Sequence, residues 1–146
     1  MKYLTVAATA LCALTVAPAF AEGFTEAWRA TEGLSAPESA IYDAGTNALY
    51  VTNVNSAEEG PKGYVSKFNL DGTLAAQKFA DGLSAPKGTA IKDGKLYTAG
   101  TNELAEIDLA TGAVTLHQIP DAPVLNDIAV GPDGALYTTE IGRAHV

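Results

Sequence analysis

Gly33-Leu34-Ser35-Ala36-Pro37-Glu38-Ser39-Ala40-Ile41 returns, little changed, as Gly82-Leu83-Ser84-Ala85-Pro86-Lys87-Gly88-Thr89-Ala90-Ile91, and a worn third copy runs Ala122-Pro123-Val124-Leu125-Asn126-Asp127-Ile128-Ala129-Val130. Each copy leads through a short turn to a Leu-Tyr pair: Leu49-Tyr50, Leu96-Tyr97 and Leu136-Tyr137. The pairs follow one another at 47 and 40 residues, a spacing that marks an array of stacked supersecondary units.

The residues between the copies read as strands. Residues 39–43 and 48–53 are short β-rich runs around Gly45-Thr46-Asn47, a turn composition suited to positive backbone angles, and they predict a hairpin. Residues 63–70 alternate, with Tyr64, Ser66, Phe68 and Leu70 on one face and Val65, Lys67 and Asn69 on the other. Asp71-Gly72 then turns the chain into 74–80. The second unit repeats the scheme with 89–92, 95–100, 104–109, a Thr111-Gly112 turn, and 114–119. Four strands per unit and no helical periodicity describe the blade of a β-propeller, an all-β fold. Such sheets bury their faces only against neighbouring blades, so the array itself is the source of stability. Residues 24–30, with Trp28, are expected to form either an outer strand that closes the ring or an ordinary N-terminal strand. That gives one strand, two full blades and half of a third, where propellers close with about four to eight blades. The chain therefore reads as the N-terminal part of a ring, inactive and only marginally stable by itself.

The two ends are set apart from the fold. Residues 1–21 carry Lys2, an apolar stretch over 4–16 and Ala19-Phe20-Ala21 before Glu22, the pattern of a cleaved secretory signal. The stretch is too short to span a membrane, and the expectation is export to the periplasm or the exterior. Cys12, the one cysteine, lies inside this segment behind Leu11, where a lipid-attachment site prefers a small residue, so the mature chain has no disulfide. Residues 141–146 back-translate as ATC GGA AGA GCA CAC GTC, the start of a common sequencing-library adapter, and are read as a non-native tail. Residues 22–140 are then the propeller part.

Nine Lys and Arg against seventeen Asp and Glu give a net charge of −8. That sign opposes general electrostatic binding to nucleic acid or anionic lipid. Solubility explains it without invoking a specific cation.

In a propeller the innermost strands line a central channel, and the residues at its mouth converge on the axis. Alignment of the copies puts Glu38, Lys87 and Asn126 at that position. Carboxylate and amide oxygens suit a hard cation such as calcium, and Lys87 could neutralise an acidic substrate or a developing oxyanion. The plain alternative is that polar residues at loop-to-strand junctions are simply solvated.

At these residues Glu38-Ser39-Ala40-Ile41-Tyr42-Asp43 resembles the Glu-Gly-Pro-Val-Trp-Asp opening of the gluconolactonase and senescence-marker-protein (regucalcin) family of six-bladed propellers. Leu125-Asn126-Asp127, followed by Gly131-Pro132-Asp133-Gly134, resembles that family's third-blade Asn-Asp segment and its downstream turn. The resemblance implies metal-dependent hydrolysis of a small-molecule sugar lactone at the channel mouth. It implies Glu38 as a ligand of a divalent metal, calcium for instance, and Asn126, with Asp127 and Lys87 nearby, as contacts to substrate or water. The family's remaining ligands, an Asn and an Asp on later blades, would lie beyond Thr139. Ser39-Ala40 replaces the family's Gly-Pro, and the basic residue expected shortly before the third-blade Asn is not apparent.

A reading from another class rests on Tyr50-Val51-Thr52-Asn53, the tetrapeptide of the YVTN-repeat propellers, exported binding or surface modules. The other copies read Tyr97-Thr98-Ala99-Gly100 and Tyr137-Thr138-Thr139-Glu140, so the tetrapeptide is matched once. Gly88 to Gly94-Lys95 has neither the spacing nor the Ser or Thr of a phosphate loop. His117 stands alone in an outer-strand run and is expected to be an exposed polar residue, and the Leu-Tyr pairs are expected in the blade core.

Overall fold

The computed structural model describes residues 25–55, 63–141 and 143–145. The secretory-signal segment and Phe24 lie outside the described residues. The strands are β1 (Pro37–Asp43), β2 (Ala48–Asn53), β3 (Gly63–Phe68), β4 (Leu74–Leu83), β5 (Thr89–Lys92), β6 (Lys95–Ala99), β7 (Glu103–Asp108), β8 (Val114–Gln118), β9 (Leu125–Val130), β10 (Leu136–Glu140) and β11 (Arg143–His145). They form two four-stranded antiparallel meanders, β1-β2-β3-β4 and β5-β6-β7-β8, and a three-stranded sheet, β11-β10-β9. The first strand of each sheet touches the first strand of the next, β1 against β5 and β5 against β9. Meanders stacked radially through their inner strands are propeller blades. The fold is a partial β-propeller.

The turns show where much of the acidic charge is used. Asp43 Oδ2 accepts the Thr46 N–H and hydroxyl, both at 2.7 Å. Asp71 Oδ1 accepts the same two groups of Thr73, at 2.9 and 2.6 Å, and Asp108 Oδ1 accepts from Ala110 and Thr111. These side chains replace main-chain partners that the reversing backbone cannot supply. The same bonds favour the ionised form, so all three carboxyls sit below the usual aspartate range, with the threonine side chain as the first cause in each.

The core lies between the blades. Tyr50, Val65, Ala48 and Ala80 of the first sheet and Leu96, Ala105 and Ile107 of the second form one buried cluster, with Leu83 from the end of β4 and Leu109 after β7. Each Leu-Tyr pair straddles its sheet, because neighbouring residues of a strand face opposite ways. Tyr50 points forward into the cluster and Leu96 points back into it, and both are fully buried. Leu49 and Tyr97, on the opposite faces, are half-buried, and Tyr137 is exposed. The pair is therefore core only where a described blade lies on the matching side.

Several expectations change. Residues 25–31 are not a strand: Trp28 Nε1 donates to the Leu70 carbonyl at 2.9 Å, and the indole packs over Gly72 in the β3–β4 turn. β4 extends past residue 80 to Leu83, carrying the repeat's own Gly-Leu into the sheet. Within the 141–146 segment, β11 pairs with β10 through Thr138, Thr139 and Glu140, which leaves the reading of that segment as a non-native tail untouched. His117 is exposed but not alone, since its Nε2 lies 3.2 Å from Glu106 Oε2, and the other oxygen of Glu106 pairs with Lys95.

Candidate functional site

All three mouth residues stand on local irregularities of their inner strands. In β1 the register slips between Pro37 and Ala40, leaving Glu38-Ser39 as the extra length opposite Thr52. In β9 the same slip falls at Asn126-Asp127, opposite Thr139. In the second blade Lys87 N–H donates to the Ala99 carbonyl at 2.8 Å while Ala99 N–H donates to Gly88 at 3.1 Å, so two residues again face one. A bulge leaves a main-chain group unpaired and re-aims the side chain it carries. Threonine hydroxyls satisfy the first and third: Ser39 N–H donates to Thr52 Oγ1 at 3.0 Å, and Asp127 N–H donates to Thr139 Oγ1 at 3.1 Å.

The bulges also lock the blades to one another. Thr52 Oγ1 donates to the Lys87 carbonyl at 2.9 Å, the Ser39 and Thr89 hydroxyls are 3.2 Å apart, and Gly88 N–H donates to the Asn126 carbonyl at 2.8 Å. Gly88 is required by this approach, because a Cβ there would lie 2.3 Å from Asp127 Oδ1 and 2.6 Å from its Cα. The sequence spacing of Glu38, Lys87 and Asn126 is thus turned into adjacency of three bulged strand starts.

Glu38, Asn126 and Asp127 are exposed, and Lys87 is half-buried. Burial lowers the Lys87 ammonium pKa, and the nearby Glu38 carboxylate works in the opposite direction. Lys87 Nζ donates to the Ala85 carbonyl at 3.2 Å. Asp127 Oδ1 accepts from the Ile128 N–H at 2.8 Å, so this carboxylate is tied to its own strand. Among the described residues no group of three or more His, Cys, Asp or Glu is placed to hold a metal ion. Glu38 with Asn126 and Asp127 does not make a metal centre unaided, and Lys87 puts a positive charge beside the one well-placed carboxylate. The chemistry these residues can perform directly is recognition of a polar ligand, with an anionic group accepted by Lys87.

Residue composition alone gives no sign of the roles of Thr52, Thr139 and Gly88. Their signal is positional: Leu-Tyr-x-Thr occurs at 49–52 and 136–139, whereas the second copy has Ala99 in the threonine place and Gly88 across from it. A cleft of about 500 Å³, lined by Arg29, Glu32, Phe68, Thr73 and Leu74 among others, lies under the N-terminal segment. None of the mouth residues lines it.

No protein-family model matches this chain, and no curated protein matches it. Among solved structures, the chain is similar to a candidate oxidoreductase (glucose dehydrogenase) from Thermus thermophilus, with 19% identity and a TM-score of 0.47. The match covers 71% of this chain and 39% of that one, so the chain spans well under half the length of the protein it matches. Strand order and blade contacts carry the propeller assignment.

Proposed function

We propose that the mouth built by β1, β5 and β9 belongs to the ligand site of an exported, gluconolactonase-like propeller that hydrolyses a sugar lactone or related ester. The observation that supports it is the convergence of three bulged strand starts, each presenting a polar side chain at the same blade position. In this reading Glu38 is one ligand of a divalent metal, calcium being the hard cation its oxygens suit, with the other ligands supplied by further blades of the ring. When bound, the metal would polarise the lactone carbonyl. Asn126 and Asp127 would contact substrate or water, and Lys87 would take an anionic group of the substrate. The test is lactone hydrolysis by a protein carrying the complete ring. Loss of turnover with a chelator and in Glu38→Gln is expected, and turnover that survives both would refute the assignment.

The second reading is a non-enzymatic binding module of the YVTN or NHL type. It is favoured by the Lys87 ammonium beside Glu38, which already offsets the charge that a divalent cation would need. Saturable binding of a small anionic sugar derivative, insensitive to chelator and without turnover, would select this reading.

A further inference from the structure

Asp-Gly occurs at 71–72, 81–82, 93–94 and 133–134, and each of these glycines is left-handed, with φ of 85°, 77°, 74° and 81°. At this dipeptide the glycine nitrogen can attack the preceding carboxyl, because no side chain stands in the way. What separates the four is where the glycine N–H and the carboxylate are engaged.

Three are occupied by their turns. Gly72 N–H donates to the Asn69 carbonyl at 3.0 Å while Asp71 Oδ1 accepts the Thr73 N–H and hydroxyl. Gly134 N–H donates to the Gly131 carbonyl at 3.0 Å, and Asp133 accepts from the Ala135 N–H at 3.0 Å and the Tyr137 hydroxyl at 3.3 Å. Asp93-Gly94 is the two-residue turn between the paired Lys92 and Lys95, with both φ values positive, the closed geometry of a tight hairpin.

Asp81-Gly82 is different. Gly63 pairs with Leu83 and Tyr64 with Asp81, so Gly82 is the extra residue of a bulge. Its N–H donates to Asp81 Oδ1 at 2.8 Å, which folds the carboxyl over the nitrogen that would attack it. Both residues are exposed, and nothing lies within 4 Å of the place a Gly82 Cβ would fill. One restraint acts on the pair: Lys78 Nζ donates to Asp81 Oδ2 at 2.9 Å and holds the carboxyl below the usual aspartate range.

We infer that Asp81 is a site of spontaneous isomerisation to isoaspartate, with water as the sole co-reactant. The Gly82 nitrogen bonds to Cγ of the neutral carboxyl, and the amide proton and the carboxyl hydroxyl leave as water, closing a succinimide. Water then adds to one of the two ring carbonyls. Cleavage of the new N–Cγ bond restores aspartate, whereas cleavage of the original peptide bond leaves the chain joined through Cγ, one methylene longer, with a free α-carboxylate. The ion pair with Lys78 slows the first step, since an ionised carboxyl has no hydroxyl to lose. The added length falls directly before Leu83, which is buried in the core between the blades.

The test ages the full chain at about pH 6, in native buffer and in urea, and measures isoaspartate at all four sites by peptide mapping with electron-transfer fragmentation, which separates isomers of equal mass. In urea the four dipeptides should react at comparable rates. In native buffer Asp71, Asp93 and Asp133 should slow at least about tenfold, a barrier difference of about 1.4 kcal/mol, while Asp81 stays within about threefold of its unfolded rate. Lys78→Ala should speed the native reaction at Asp81 at least about twofold and leave Asp93 unchanged. A native Asp81 that isomerises no faster than the other three, or a Lys78→Ala variant in which Asp81 and Asp93 respond alike, would overturn the assignment.

Discussion

Replacing Thr52 by valine removes one hydroxyl and almost no volume, and the structure assigns that hydroxyl two tasks. It accepts the Ser39 N–H freed by the bulge, at 3.0 Å, and donates to the Lys87 carbonyl of the next blade, at 2.9 Å. Thr52 is fully buried, so its own contacts cannot be taken over in place by water. Each lost bond is worth about 0.5–1.5 kcal/mol, and a buried group left unsatisfied costs about 1–3 kcal/mol. Ser39 is half-buried, and the Lys87 carbonyl keeps a long contact to Thr98 Oγ1 at 3.4 Å, so the sum belongs near the lower end. The expected loss is about 2 kcal/mol, roughly a thirtyfold change in the folding equilibrium. Urea unfolding reads it as a midpoint lowered by about 1 M at unchanged slope, taking a slope of about 2 kcal/mol/M. Thr139→Val is the internal control: its hydroxyl also caps a bulge, but the residue is not fully buried and makes no tie to another blade, so about 0.5 kcal/mol or less is expected. A Thr52→Val midpoint within about 0.2 M of the wild type, or equal losses in the two variants, would refute the idea that these hydroxyls clamp blade to blade.

Gly88→Ala should destabilise by more than about 2 kcal/mol in the same assay, because the new methyl group meets, besides the Asp127 carboxylate, main-chain atoms that cannot swing aside, the Asp127 Cα at 2.6 Å and the Asn126 carbonyl oxygen at 2.8 Å. A Gly88→Ala variant as stable as the parent would mean that the two blades do not approach as described. Asp43, Asp71 and Asp108 have pKa values lowered by their turn bonds, so their contribution is present above the ordinary aspartate pKa and is lost as pH falls through the lowered folded values. Thermal midpoints should therefore fall steadily below about pH 4, and Asp108→Asn should flatten part of that slope; a midpoint independent of pH in this range would contradict the turn assignment. Glu38→Gln should lower the Lys87 pKa further, since it removes the charge that opposes burial, and NMR titration of the lysine side chain measures this directly. An unchanged or raised Lys87 pKa would mean that the two groups are not neighbours.

The blade order is legible in the sequence because propellers advertise themselves by recurrence: Leu-Tyr pairs and their turns locate the strands of the first two blades to within about three residues. The 25–31 segment departs from its sequence reading for a physical reason. Its pattern is that of an outer strand, but strand formation requires an edge to pair with, and local sequence carries no information about whether one is present. Tyr97 and Tyr137 fall short of the expected core burial for the same reason, since burial in an array depends on the neighbouring unit rather than on the residue. At the mouth, alignment of the repeats places Glu38, Lys87 and Asn126 on equivalent positions, as the structure does. The bulges beneath them arise from hydrogen bonds between residues 13 apart, such as Ser39 to Thr52, and could be anticipated only by reading the threonines in register with the repeats.

The central claim is that successive inner strands lie side by side at the channel mouth. Ser39→Cys/Thr89→Cys in a Cys12→Ser background tests it, because the two hydroxyls it replaces are 3.2 Å apart across the blade boundary. That proximity brings the paired thiols within disulfide reach after small side-chain adjustment. Mild oxidation should give a monomer lighter by two hydrogens whose peptide map joins the two positions. Two thiols that remain free in the folded, oxidised chain would contradict the stacking of β1 on β5 and the ligand site built upon it.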